Sequence, residues 1–379
     1  MSSAVSRRAV LAGGMAGAMA LALRWRDAAA AASWKGYDAA LVIDGLGGVG
    51  DGSADPGAPY SAAHMKDVRE SGVTCAHTTI GVVGSRPPDA AYVEVVRGIL
   101  WHEREITNNP ETLMRVRTVA DIVQAKRSSR TGIVYGFQDG IMFETDLSRL
   151  RDFHRLGVRV IQPTYNRRNL LGDGCLEPAN AGLSKAGVEA VELMNELGIL
   201  VDLSHCGRQT AADAIRVSKR PVAFTHTGSA AIASHPRNRT DEELRAVADK
   251  GGVSGIYFMP YLCEGRQPAA ADIIRHLEHM IDVAGEDHVS IGTDGNVSAS
   301  ILDQAYKDAF ARNIRERKTA GISAPGETEA GYLFASDLNM PRRFEVLAGM
   351  LLERGHSVKR IEKFLGGNLV RVFGDTWKA

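Results

Sequence analysis

Eight short apolar runs alternate with segments of helical periodicity, and this alternation constrains the fold more than any other feature of the chain. The runs are rich in β-branched residues and bounded by glycine or proline, as is typical of strands buried on both faces of a parallel sheet. Eight strand–helix units favour an α/β fold of the (β/α)8 TIM-barrel type over a doubly wound sheet. The runs cover residues 39–44, 72–80, 131–138, 157–165, 198–205, 221–227, 251–258 and 288–294.

Several helix boundaries are marked by their end residues. Residues 184–198 begin with a serine and end with a glycine, the residue types preferred at the two ends of a helix. Residues 240–252 and 270–285 have similar patterns. Two further helical segments, 339–355 and 357–374, follow the last strand. They predict a C-terminal helical extension of the barrel.

The first 32 residues resemble an export signal. Arg7 and Arg8 precede the apolar stretch 9–23, and an alanine-rich run then supplies cleavage sites. Paired arginines in this position are typical of a twin-arginine signal. We therefore predict a signal over 1–32, a single barrel domain over 33–379, and a periplasmic or extracellular protein. An uncleaved membrane anchor is the alternative. No later stretch approaches about 18 apolar residues, so no membrane span is expected after cleavage.

Composition limits the class of partner. Lys+Arg and Asp+Glu both number 45, which gives a net charge of zero, and no basic runs occur. Nucleic acid is therefore not an expected partner.

The four cysteines could be buried thiols or could form up to two disulfides, and no pair has the C-x-x-C spacing of a structural zinc cluster. A homodimer is also left open. The cysteines are Cys75, Cys175, Cys206 and Cys263.

The carboxyl ends of the strands form the functional face of such a barrel. Two ends carry His205 and His226, and the last carries Asp294. Neutral imidazoles and a carboxylate suit zinc, with positions left for water. Zinc lowers the pKa of bound water to about 7, which makes a nucleophile for amide hydrolysis. The other strand ends supply Asp44, His77, Gln138, Asp139, Tyr165, Asn166, Asp202 and Tyr257.

Four segments together resemble the membrane (renal) dipeptidase family. They are residues 157–207, 221–262, 276–296 and 351–373, and the resemblance extends over roughly 38–375. It implies a (β/α)8 barrel of the metal-dependent hydrolase type, with a two-zinc centre that cleaves dipeptides bearing a free carboxyl end. This chain would be a divergent, exported bacterial member.

The resemblance assigns roles to individual residues. His205 and His226 match the two histidines that hold one of the zinc ions, and Asp294 matches the carboxylate that follows strand eight. Arg237 matches the arginine that binds the substrate carboxylate, a charge-assisted contact. Tyr165 stands where the family has a histidine that contacts substrate.

Three zinc-ligand positions depart from the family pattern. After strand one the family has Asp-Gly-His-x-Asp, whose histidine and second aspartate bind zinc, but this chain has Leu46 and Gly48 there. The zinc-bridging glutamate aligns with Gln138. Loss of three ligands, two of them anionic, should abolish one ion. We therefore predict at most one zinc, with no metal as the alternative.

These assignments predict a metal-dependent hydrolase that cleaves a dipeptide or a related amide with a free carboxylate. A metal-free barrel that binds a peptide-like ligand, or assists maturation of a secreted natural product, is the alternative. A nucleotide-binding oxidoreductase using residues 45–52 would require that loop to begin a helix. The predicted site residues are His205, His226 and Asp294 as metal ligands, Asp294 and Tyr165 as catalytic groups, and Arg237, Gln138, Asp139 and Tyr257 on the substrate side.

Overall fold

A parallel β-barrel surrounded by helices forms the body of the protein. The computed structural model describes residues 33–50, 57–84 and 86–377, so the predicted export signal lies outside the described residues. The strands are β1 (Ile43–Asp44), β2 (Gly47–Gly48), β3 (Cys75–Thr79), β4 (Leu113–Arg115), β5 (Thr131–Phe137), β6 (Val158–Ile161), β7 (Leu200–Asp202), β8 (Val222–Thr227), β9 (Val253–Ile256), β10 (Val289–Ile291) and β11 (Gly295–Asn296).

Eight of these strands make the barrel, in the order β1-β3-β5-β6-β7-β8-β9-β10, with parallel pairing throughout. Each lies within one of the eight predicted apolar runs, which confirms the predicted fold class. Short β4 pairs with the start of β5. The ring closes where Gly45 N donates to Ile291 O (2.8 Å), and β2 pairs in parallel with β11 just beyond this point.

The helices begin and end largely where their end residues predict. Ser184 accepts a hydrogen bond from Gly187 N, and Gly198 ends that helix with φ of 78°. Thr240 and Glu243 form a capping box at another helix. The helices are α1 (Ala62–Ser71), α2 (Pro88–Asn108), α3 (Val119–Arg127), α4 (Arg149–Arg155), α5 (Lys185–Leu197), α6 (Arg208–Val217), α7 (Asp241–Asp249), α8 (Ala270–Ala284), α9 (Gln304–Thr319), α10 (Arg343–Glu353), α11 (Val358–Glu362) and α12 (Asn368–Thr376), with a π-helical turn at Lys363–Gly367.

The glycine-rich loop after β1 contains no helix over residues 45–50, the part of it that the structure describes. Gly47 and Gly48 form β2 instead, so the dinucleotide site lacks the helix that it requires. All four cysteines are free thiols, which settles the choice left open by their spacing. Within the described part of the chain, no helix combines the length and apolarity needed to cross a bilayer.

Two buried aspartates join neighbouring strands at the carboxyl end of the barrel. Asp44, at the end of β1, accepts hydrogen bonds from Thr293 N (2.8 Å), Thr293 Oγ1 (2.6 Å) and Leu46 N (3.3 Å). Asp202, at the end of β7, accepts in the same way from Thr225 N (3.1 Å) and Thr225 Oγ1 (2.6 Å). Each carboxylate thus binds both the backbone and the hydroxyl of a threonine on an adjacent strand.

We predict that Asp44→Asn flattens the pH dependence of stability. Burial raises the pKa of Asp44 to about 7. The folded protein therefore keeps a proton that the unfolded chain releases near pH 4, so stability falls as pH rises from about 4 to 7. Removing this group should reduce the slope by up to about 1.4 kcal/mol per pH unit. Urea unfolding across this range measures the change.

Asp249→Asn is the matched control, since Asp249 is exposed at the end of α7. The amide introduced at position 44 keeps one oxygen acceptor, and its nitrogen can donate to the Thr293 hydroxyl, so the fold should persist. Parallel stability curves for wild type and Asp44→Asn would contradict the prediction.

Candidate functional site

Three buried imidazoles lie at the carboxyl end of the barrel. His77 is on β3, His205 follows β7, and His226 is on β8. Their side chains are at most 3% exposed. The rings of His205 and His226 have centroids 5.1 Å apart. Two of the predicted metal ligands are therefore neighbours.

Hydrogen bonds fix the orientation of the His205 and His226 rings. Asn166 donates through Nδ2 to Ile322 O (2.7 Å), which directs its Oδ1 toward His205 Nδ1 (2.6 Å). His226 Nδ1 lies 2.9 Å from Thr225 Oγ1, and that hydroxyl donates to Asp202. In both cases the partner must accept, so Nδ1 carries the proton and Nε2 holds a lone pair.

His77 has the same arrangement through a backbone acceptor. Its Nδ1 donates to Gly45 O (2.7 Å). An ideal Cβ on Gly136 would lie only 1.9 Å from His77 Nε2, so glycine at 136 makes room for this ring. The Nε2 atoms of all three histidines are buried without a hydrogen-bond partner among the described residues. Such atoms are costly to bury unless a ligand or water binds them.

His205 and His226 have the arrangement of metal-binding histidines. Metal-binding histidines commonly donate their other N–H to an acceptor that fixes the ring, as His205 and His226 do here. Desolvation lowers the pKa of both rings, which keeps them neutral and able to bind a cation. Across residues 33–50, 57–84 and 86–377, no three His, Cys, Asp or Glu side chains form a complete metal-binding group. The protein therefore offers two imidazole ligands, and the other positions would fall to water or substrate.

Tyr165 connects this pair to a segment that covers the barrel mouth. Its ring stacks on His205, with centroids 4.0 Å apart and planes at 23°. Its hydroxyl accepts from Arg317 Nη1 (3.3 Å) and Nη2 (3.4 Å). Arg317 lies on α9 and forms a two-point ion pair with buried Glu327 (2.7 and 2.8 Å).

We call residues 304–334, which include α9, the cap. It is held over the barrel by side chains from the strand-end loops. Arg167 Nε donates to Gly321 O (2.7 Å), and His235 Nε2 donates to Pro325 O (2.9 Å). Tyr261 donates to Glu327 (2.6 Å). No helix was predicted here from the sequence, and the contacts of Arg317 and Glu327 had no local signal.

Arg237 is fully buried beside the imidazoles. One Nη atom donates to Ser204 O, whereas Nη2 has no hydrogen-bond partner among the described residues. The guanidinium lies 5.8 Å from the ring centroid of Tyr257. Its charge contributes to the lowered pKa of both His205 and His226. A buried cation with a free donor edge is suited to bind a carboxylate.

Asp294 is half-buried where β10 leads into β11. Its backbone adopts a left-handed conformation (φ 56°) and donates to Leu46 O (2.8 Å). Desolvation raises the pKa of Asp294 to about 6, although Arg237 and Arg317 act to lower it. The carboxyl group can therefore gain or lose a proton near neutral pH.

The remaining predicted residues lie close to this centre but have other contacts. Gln138 donates through Nε2 to Thr79 Oγ1 (2.7 Å). Asp139 is buried and accepts from Gly84 N (3.0 Å), Gly140 N (2.8 Å) and Asn169 Nδ2 (3.0 Å), so it joins loops. Buried Tyr257 donates to Asn238 Oδ1. Substrate contacts for these three residues remain predictions.

A model of the membrane dipeptidase family (peptidase family M19) matches residues 58–309. The chain belongs to this family. Dipeptidase verJ of Clonostachys rogersoniana is 30% identical over 258 residues, which cover 68% of this chain and 58% of that relative. The chain thus spans less than two thirds of the length of that relative.

Solved structures share the fold of this chain. An amidohydrolase from Pseudomonas aeruginosa is 32% identical, with a TM-score of 0.76, and the match covers 90% of this chain and 98% of that one. A metallopeptidase from Rhodobacter sphaeroides, solved with a phosphinate mimic of the dipeptide L-Ala-D-Ala, is 20% identical with a TM-score of 0.70. The match covers 89% of this chain and 99% of that one. At this identity the likeness concerns the fold alone.

We predict that His77, His205 and His226 are neutral Nδ1–H tautomers in metal-free protein at pH 6.5, where a free imidazole is half protonated. Desolvation lowers the pKa of all three below the ordinary value of 6.5, and each Nδ1 faces an acceptor. Long-range proton–nitrogen NMR of the imidazoles measures the tautomer. His205→Gln and His226→Gln assign the signals, and protonated rings at that pH would contradict the prediction.

Proposed function

We propose that the chain is a metal-dependent hydrolase that cleaves a dipeptide, or a related amide with a free carboxylate, at a centre holding one zinc ion. The observation that carries the proposal is the pairing of two different free groups in one buried site. The Nε2 atoms of His205 and His226 and the Nη2 atom of Arg237 all lack hydrogen-bond partners among the described residues. They supply a cation site and an anion site within one barrel mouth.

Arg237 binds the substrate carboxylate through its free Nη2 edge. The ring of Tyr257 beneath the guanidinium and the contact to Ser204 O fix its position. A charge-assisted hydrogen bond in a buried site is stronger than one between neutral groups. The anchored carboxylate then places the adjacent amide bond toward the imidazoles.

His205 and His226 hold the zinc ion, which when bound supplies Lewis-acid activation of water or of the amide carbonyl. Asp294 is a carboxylate above about pH 6, so it can accept a proton there from the attacking water and return it to the amine nitrogen as the C–N bond breaks. Tyr165, kept neutral because burial raises its pKa, can donate a hydrogen bond to the carbonyl oxygen. Arg317 holds that hydroxyl in place over His205.

The second zinc position of the family has lost its ligands in this chain. Leu46 is buried and apolar, Gly48 has no side chain, and Gln138 is a neutral amide. None of these can neutralise a second dication, because metal ligands must offer lone pairs and compensating charge.

We also propose that the protein is exported, with residues 1–32 as its twin-arginine signal and residues 33–379 as one domain. A homodimer is its candidate assembly.

We predict that Arg237→Met removes the preference for a free carboxylate. Wild type should bind Ala-Ala about 10- to 100-fold more tightly than Ala-Ala carboxamide, as expected for a hydrogen bond to a charged group. In the variant the two affinities should be nearly equal. Isothermal titration calorimetry measures the four values, with a CH2–NH bond in place of the amide in both ligands so that neither is cleaved.

Arg208→Met is the control, because Arg208 is exposed on α6, outside the site. It should keep the wild-type preference. Thermal melting checks that Arg237→Met is folded. A preference for the free acid that survives in folded Arg237→Met would exclude Arg237 as the anchor.

We predict about one zinc ion per chain in natively exported protein, none in His205→Ala, and about two when the family ligands are restored. The restored variant combines Leu46→His, Gly48→Asp and Gln138→Glu with Asn296→Ala, since Asn296 occupies space next to position 48. Elemental analysis beside a dipeptide-hydrolysis assay measures the outcome. Two zinc ions in the native chain would contradict the one-ion centre. No metal and no turnover would instead support the metal-free, ligand-binding alternative.

A further inference from the structure

A cleft beside Asp294 has no role in the proposed function so far. It has a volume of 270 Å³ and lies between the end of β10, the cap and the loop that follows it. We call it the cap cleft. Its lining residues are Asp294, Gly295, Asn296, Ser298, Ser300, Tyr306, Ala309, Phe310, Asn313, Leu333, Phe334, Asn339 and Arg343.

One wall of the cap cleft is polar and begins beside Gly48, where the resemblance to the family places a metal ligand. Asn296 pairs in register with Gly48 across β11 and β2. An ideal Cβ on Gly48 would lie 2.3 Å from Asn296 Oδ1, so the amide occupies space that a side chain at 48 would need. A neutral hydrogen-bonding group therefore stands where the resemblance places an anionic metal ligand.

Arg343 supplies a second, independent feature of this wall. Its side chain is 5% exposed, Nε donates to Met340 O (2.8 Å), and Nη2 donates to Val297 O (2.9 Å). No hydrogen bond to the described residues involves the remaining nitrogen, Nη1, which lies 3.9 Å from the ideal Cβ position of Gly295. Because Arg343 lines the cap cleft, this nitrogen can donate to a bound ligand. An oxygen acceptor is the group that would satisfy it.

The opposite wall is aromatic. Tyr306 and Phe310 lie one turn apart on α9, with stacked rings whose centroids are 6.2 Å apart. Phe334 lines the same wall and stacks on Tyr332 (5.3 Å). Half-buried rings facing a cleft offer stacking to a flat apolar group.

We infer that the cap cleft binds an aromatic side chain with an oxygen substituent, such as a phenol, on the amino-terminal residue of the dipeptide-like ligand. The inference rests on the proposed anchoring of the ligand carboxylate at Arg237. Phe310, which lines the cleft, and Arg317 lie on the same face of α9. Arg317 contacts Tyr165, which stacks on His205, so the cap cleft extends along α9 from the imidazoles toward which the anchored ligand directs its amide. A phenol satisfies both walls without adding an anion beside Asp294.

Calorimetric binding of analogues of Tyr-Ala, Phe-Ala, Leu-Ala and Ala-Ala, in which a CH2–NH bond replaces the amide so that they cannot be cleaved, tests the inference. Wild type should bind Tyr-Ala about tenfold more tightly than Ala-Ala, with Phe-Ala between them, because stacking and the hydrogen bond to Arg343 each add to affinity. Phe310→Ala, which removes a wall, and Ala309→Trp, which fills the cleft, should both reduce the ratio of Tyr-Ala to Ala-Ala affinity severalfold.

Ile301→Ala is the control, since Ile301 is 74% exposed and does not line the cleft. It should keep the wild-type ratio, and thermal melting checks that each variant is folded. Equal affinities for the four dipeptides, or a preference unchanged in both cleft variants, would overturn the subsite while carboxylate binding at Arg237 stands. Absence of binding for all four would overturn the subsite together with the proposed function.

Discussion

The site depends on one buried carboxylate, that of Asp202. It accepts hydrogen bonds from Gln162 on the preceding strand, from Ser204 in its own loop and from Thr225 on the next strand. The Thr225 hydroxyl in turn accepts from His226. Five donors around one carboxylate compensate its burial, and they hold the ends of three strands in register. The ring that could bind a metal is therefore positioned by the same group that joins the strands.

The loop after β7 is fixed from a second side by arginines. Arg239 Nη2 donates to the carbonyl oxygens of Leu203, Ser204 and Cys206, while Arg237 donates to Ser204 O as well. His205 lies in the middle of this loop, so its ring cannot drift far from that of His226. The donor and acceptor atoms without partners contribute nothing to folding, so the hydrogen bonds of the surrounding loops must hold the site in place.

Sequence patterns predicted the eight barrel strands and several helix ends, but neither α9 nor the contacts that join the elements. The eight apolar runs became barrel strands because burial on both faces leaves a local pattern. His205, His226, Arg237 and Asp294 could be found since strand ends and family motifs are local too. The contact of Arg317 with Tyr165 joins residues 152 positions apart, and nothing local in α9 predicts it. The hydrogen bonds of Asp139 to Gly84 and Asn169 could not be predicted either, because they join loops far apart in the sequence. Its place on the substrate side stays a prediction.

Gly48 and Asn296 show how two distant positions can behave as one. They are partners in a two-strand ladder, and the space between them holds a single side chain, at present that of Asn296. A larger residue at 48 requires a smaller or displaced one at 296, and loss of the Asn296 side chain alone would leave a void. The two positions should therefore covary among relatives, with an acidic residue at one excluding an amide at the other. Such covariation would mean that a change at either position is tolerated only together with a change at the other.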